Sequence, residues 1–129
     1  MRRIYVLIAI ASIGFVFMAC KKKPNETDPP ISFDTDVDVV NISFTDRFNY
    51  AVRLTSPMPL FGIKVGATAK EEVSGQIVEQ EFPLYSNNVQ TSLYVKNLPR
   101  QKWVIVTIKA CSFRDSLNCS TKSFKVVYK

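Results

Sequence analysis

Phe48-Asn49-Tyr50-Ala51-Val52-Arg53-Leu54 sets apolar side chains at alternate positions, Phe48, Tyr50, Val52 and Leu54, with Asn49 and Arg53 between them. Successive side chains of an extended chain point to opposite sides, so this spacing predicts a strand with one dry and one wet face. The same period appears upstream in Val37–Phe44, where Val40, Ile42 and Phe44 are expected to face the core, and Asp46-Arg47 supplies the turn. Downstream, Ser56-Pro57-Met58-Pro59 breaks the pattern before Phe61, Ile63, Val65 and Ala67 form another buried row. Val73–Phe82, Val89–Lys96, Trp103–Cys111 and Ser123–Lys129 bring the expected strands to seven. Short strands at this spacing, with no helical period, predict an all-β antiparallel sandwich or barrel.

The N-terminus has a different character. Met1-Arg2-Arg3 is followed by sixteen uncharged residues, Ile4 to Ala19, and then by Cys20. A membrane-crossing helix needs about 20 apolar residues, and this run falls short. The order of positive, apolar and small residues before a cysteine resembles a bacterial lipoprotein signal. The resemblance implies a signal peptide at 1–19 and cleavage before Cys20, which then carries diacylglycerol and usually a third chain such as palmitate. Two or three acyl chains give stable membrane anchoring where one gives marginal binding. The location implied is the cell envelope. Lys21 stands where many inner-membrane lipoproteins have Asp, which points to the outer membrane. Lys21 to Pro30 has three prolines and no large apolar residue, so 20–30 is expected to be the lipidated cysteine and a flexible tether. The folded domain is then 31–129.

A second resemblance lies in Leu98-Pro99-Arg100-Gln101-Lys102-Trp103-Val104-Ile105-Val106-Thr107-Ile108-Lys109-Ala110. A Leu and Pro ahead of an aromatic residue, then alternating β-branched residues and Ala, is similar to the start of strand F in fibronectin type III and related immunoglobulin-like domains. The implied fold is a seven-stranded antiparallel sandwich, with a transthyretin-like sandwich as the alternative strand order. With Cys20 committed to lipid, Cys111 and Cys119 remain as an even pair in an oxidising setting and are expected to form a disulfide. The bridge would staple a hairpin with the loop Ser112–Asn118, its Cα atoms about 4.4 to 6.8 Å apart.

Catalytic options are few. The chain has no histidine, which removes the Ser-His-Asp and Cys-His arrangements and most catalytic zinc sites. Gly14, Gly62, Gly66 and Gly75 are too scattered for a phosphate loop. Glu79 and Glu81 share one strand face, and Asp34, Asp36 and Asp38 form an alternating row, patterns that suit a glycosidase pair or calcium but also an ordinary wet face. No catalytic residue, metal or cofactor is expected. Charge is split along the chain: Asp34 to Glu81 carries eight acidic and four basic residues, and Phe82 to Lys129 one acidic and eight basic. With no aromatic nucleic-acid motif, the basic half suits an anionic glycan, a lipid headgroup or an acidic protein surface better than nucleic acid.

If Val104, Val106, Ile108 and Ala110 face the core, alternation turns Trp103, Ile105, Thr107 and Lys109 outward. Lys125, Val127 and Lys129 on the last strand and Lys64 on the Phe61–Ala67 strand are expected to share that face. An apolar centre of Trp103, Ile105 and Val127 ringed by lysines has the composition of a binding patch. The resulting expectation is a non-catalytic, lipid-anchored binding protein. A structural accessory subunit of a larger outer-membrane or cell-surface complex is the alternative.

Overall fold

The structure is a computed structural model and describes residues 27–129, apart from the side chain of Phe82. The expected signal peptide, Cys20 and the tether up to Glu26 lie outside the described residues. The described chain is all-β. Its strands are β1 (Phe33–Thr35), β2 (Val40–Ser43), β3 (Phe48–Leu54), β4 (Ile63–Glu71), β5 (Ile77–Ser86), β6 (Gln90–Val95), β7 (Trp103–Ser112) and β8 (Cys119–Tyr128). They form two sheets, of order β1-β3-β6 and β2-β8-β7-β4-β5. Every pairing is antiparallel except that of β2 with β8.

Two sheets form because each strand has one apolar face to bury. From the smaller sheet Phe33, Tyr50, Val52, Leu54, Leu93 and Val95 are buried, and from the larger Ile63, Val65, Val104, Val106, Ile108 and Val126. The Phe124 ring lies 5.1 Å from Tyr50 and 5.8 Å from Phe48, tying β8 to β3 across the core. The chain changes sheets at every step except between β4 and β5 and between β7 and β8, so neither sheet is complete without distant segments.

Three expectations change. Among the described residues eight strands form instead of seven, with an isolated bridge from Arg100 to Tyr128, because Phe33–Thr35 adds a short strand beside β3. Val40, Ile42 and Phe44 are exposed, and Ser43 is the buried member of β2. The reason is local: the Ser43 hydroxyl donates to the carbonyls of Thr45 and Arg47 at 2.8 and 3.1 Å, holding the β2–β3 turn from the inner side. Asn41 donates to the carbonyls of Asp38 and Lys125 at 2.7 and 3.2 Å. Phe61 is also exposed, since it lies in the turn before β4 and outside its buried row. The end of the tether is held against the domain: the Asp28 side chain keeps only 3% of its surface accessible and pairs with Arg114 at 2.9 Å.

Candidate functional site

Alternation along β7 divides it cleanly, with Val104, Val106, Ile108 and Ala110 wholly buried and Trp103, Ile105, Thr107, Lys109 and Cys111 on the outer side. Register extends that outer face across the sheet in rows. Cys111 is flanked by Lys64 and Cys119, Lys109 by Gly66 and Thr121, and Thr107 by Thr68 and Ser123. Ile105 lies between Lys70 and Lys125, and Val40 extends that row on β2. The last row runs through Trp103, Val127 and Ile42.

The face is concave. Irregular β4–β5 pairing around Gly66 and Ala69 bends the sheet, and the hollow over its centre measures about 700 Å³. Small residues, among them Gly66, Thr68, Thr107 and Thr121, line the hollow, and Thr107 shares a hydrogen bond of 3.1 Å with Ser123 beside it. Gly66 allows β5 a close approach there: a Cβ would stand 3.3 Å from Pro83 and from the Glu81 carbonyl, so a larger residue would need β5 to give by a few tenths of an ångström.

Trp103 is 38% exposed and remains available on this face, whereas Val127 is only 5% exposed between Trp103 and Ile42 and offers no free surface. The apolar area instead continues onto Val40 and Ile42, both about half exposed, although their spacing predicts core positions. Lys125 pairs with Glu72, and Lys102 with Glu71 at 3.8 Å, so the lysine rim near Trp103 is partly neutralised. Lys64 lies 4.9 Å over the Phe113 ring, while Lys70 and Lys109 have no carboxylate partner among the described residues. Lys129 is exposed just beyond β8.

Cys111 and Cys119 are bridged, with Cα atoms 4.0 Å apart. This is closer than the expected 4.4 to 6.8 Å or so. The two residues are directly opposed, and the Ser112 N–H donates to the Asn118 carbonyl at 2.9 Å just beyond them. That bond marks a non-hydrogen-bonded pair, the position where antiparallel strands approach most closely, to about 4.5 Å.

Glu71, Glu72 and Glu81 contribute to the lining of the large hollow. Glu79 and Glu81 pair with Ala69 and Ala67 and reach toward Tyr50 at the edge of the sandwich, around a hollow of about 10 Å³. That volume holds about one water. Burial, reinforced by Glu79, pushes the Glu81 carboxyl above its ordinary range. Burial and the Glu81 charge likewise raise the Tyr50 phenol, whose hydroxyl has no hydrogen-bond partner among the described residues. Asp34 bonds Lys122 at 2.5 Å, and Asp36 accepts the Ala51 N–H at 2.7 Å. Among the described residues no three His, Cys, Asp or Glu side chains converge as metal ligands. No family model matches the chain, and no curated protein matches it.

Proposed function

We propose that this protein is a lipid-anchored binding protein of the bacterial cell envelope, held in the outer membrane through Cys20, and that it grips its partner with the outer face of the five-stranded sheet. The observation that carries the reading is Trp103, a large aromatic side chain left 38% exposed on a rigid strand. It lies in one row with Ile42, and Ile105 and Val40 occupy the row beside it. Aromatic anchors at the centre of a patch contribute a disproportionate share of binding energy. Lys70 and Lys109, without carboxylate partners among the described residues, favour a partner that brings negative charge.

The strand order supports an immunoglobulin or fibronectin type III kinship. β3 lies between β1 and β6, and β7 between β4 and β8, as strand B lies between A and E and strand F between C and G in that fold. The exposed Val40, Ile42 and Phe44 favour a second reading, an accessory subunit whose outer face is covered by another envelope protein.

Affinity capture from membranes, with the anchored protein as bait, tests the binding reading. Trp103→Ala should lower capture about ten-fold, or about 1.4 kcal/mol, with little change in melting temperature. Unchanged capture would sink the proposed face. Cys20→Ala should release the protein from membranes or leave it unprocessed, and wild-type fractionation of that variant would sink the anchor. Without residues 1–20, a binder should stay monomeric, whereas an accessory subunit with an uncovered face should self-associate.

A further inference from the structure

The chain enters the domain at a fixed place. Asp28 accepts the Ser112 hydroxyl at 2.5 Å and an Arg114 N–H at 2.9 Å. Asn118 donates to the Pro29 carbonyl at 2.8 Å and accepts the Ile31 N–H at 3.0 Å. The β7–β8 loop is therefore bound to the point where the chain arrives.

Around that point the surface is apolar. Leu60 and Phe61 precede β4, and Phe113 and Leu117 lie in the β7–β8 loop; all four are exposed, Leu117 to 93%. The segments that carry Phe61 and Phe113 are tied together. The Phe113 N–H donates to the Gly62 carbonyl at 3.0 Å, and the Phe113 ring meets Tyr85 edge-on at 5.3 Å. Two cations sit among the rings, Lys64 at 4.9 Å from Phe113 and Arg114 at 5.5 Å from Phe61. The nearby Asp115 carboxylate is turned back onto the Leu117 N–H at 3.0 Å.

We propose that this end of the sandwich rests on the bilayer that holds the anchor, with Leu60, Phe61, Phe113 and Leu117 in the headgroup layer and Lys64 against lipid phosphate. The proposal rests on the anchor reading for Cys20 and adds an orientation to it. Seven residues separate Cys20 from Asp28, and a chain spans at most about 3.3 to 3.6 Å per residue. An anchor at Cys20 thus keeps Asp28 within about 30 Å of the membrane even when the chain is fully drawn out. Aromatic rings with an apolar body, interleaved with basic groups, favour the membrane–water boundary. Lys21, Lys22 and Lys23, just after the anchor, add attraction to anionic headgroups.

Trp103 is the only tryptophan and lies at the opposite end of β7, so it serves as an internal reference. The full-length protein, purified from cells, is reconstituted in vesicles of phosphatidylethanolamine and phosphatidylglycerol with brominated acyl chains. In a Trp103→Phe background, Leu117→Trp and, separately, Phe61→Trp move the fluorophore to the proposed contact; both positions are exposed, so folding does not depend on them. Most of the emission should be lost in these two proteins, and wild-type Trp103 emission should be unaffected. Equal quenching at positions 103 and 117 in membrane-bound protein overturns the orientation and leaves the anchor standing. Wild-type protein that floats with vesicles no better than Cys20→Ala overturns the anchor, and the orientation with it.

Discussion

Near the Trp103 end of β7 the exposed side chains of Val40, Ile42 and Trp103 belong to strands and those of Phe44 and Val73 to the adjoining turns, whereas at the Ser112 end Leu60, Phe61, Phe113 and Leu117 belong to turns and loops, with Tyr85 of β5 beside them. The strand-borne group is fixed by ladder hydrogen bonds to β8 on both sides. The loop-borne group is held outside any ladder, by the disulfide, the Asp28 and Asn118 bonds and local loop bonds such as Phe113 N–H to the Gly62 carbonyl. A rigid platform suits a partner of defined shape, because little is lost in ordering it on binding. Loops suit a surface as irregular as lipid headgroups. β7 has ten residues, and at about 3.4 Å each the two ends stand roughly 30 Å apart. With one end on the bilayer, the other would be presented away from it.

The largest effect should come from the middle of β7, which both ends share. Ile108 is wholly buried, and Ile108→Ala should cost about 2 to 5 kcal/mol through lost contacts and the cavity left behind. Hydrogen exchange should speed up at both ends together. Loosening at one end alone would show that the two ends are not coupled through the core.

Next is the disulfide. Replacing Cys111 and Cys119 with serine should cost about 2.6 kcal/mol by the loop-entropy estimate for a closed ring of about 9 residues. Thermal melting with and without reductant measures it. The loss should loosen the β7–β8 loop before the Trp103 row, so an early shift in Trp103 emission would contradict the division between the ends.

A smaller, local effect is expected at Asp28. The Ser112 hydroxyl, assisted by the Leu60 backbone and the Arg114 charge and opposed by burial, holds this carboxyl below its ordinary 3.8. A depressed folded-state pKa contributes stability above 3.8 that disappears as pH falls through the folded value. The Ile31 and Ser112 amide resonances should move in that acid range, and Asp28→Asn at neutral pH should reproduce the acid spectrum. If Asp28→Asn leaves both resonances in place, Asp28 does not hold the chain to the loop.

How far these regions were legible in the sequence depended on what fixes each side chain. β3 and the inner row of β7 were legible because several large apolar residues alternate with polar ones, and a slip of one residue would drown that row. The disulfide was legible from the cysteine count once Cys20 was assigned to the lipid anchor, which leaves Cys111 and Cys119 as a pair. The outward turn of Val40 and Ile42 was not, since period two separates two faces without saying which is dry. What settles it is that Ser43 and Asn41 are needed to hold carbonyls on the inner side and in the adjoining turns. Burial of Val127 depends on Trp103 and Ile42 standing beside it, neighbours more than twenty residues away in the chain. Asp28 looked like part of a polar tether because its partners, Ser112 and Arg114, are 84 and 86 residues distant.

The smallest effect on stability, and the sharpest test of the strand-borne patch, comes from Val40→Thr combined with Ile42→Thr. Threonine keeps the β-branched shape that suits a strand, so β2 should still pair with β8. Both side chains are already about half in water, and the double change should alter stability by no more than about 0.5 kcal/mol. Partner capture should nevertheless fall, because the polar hydroxyls interrupt the apolar surface around Trp103. A stability loss well above 1 kcal/mol or so would mean that β2 is packed more tightly than its exposure indicates. Unchanged capture, with Trp103→Ala still defective, would confine the contact to Trp103 and its lysine neighbours, and the partner would then be reading charge along the hollow instead of an apolar face.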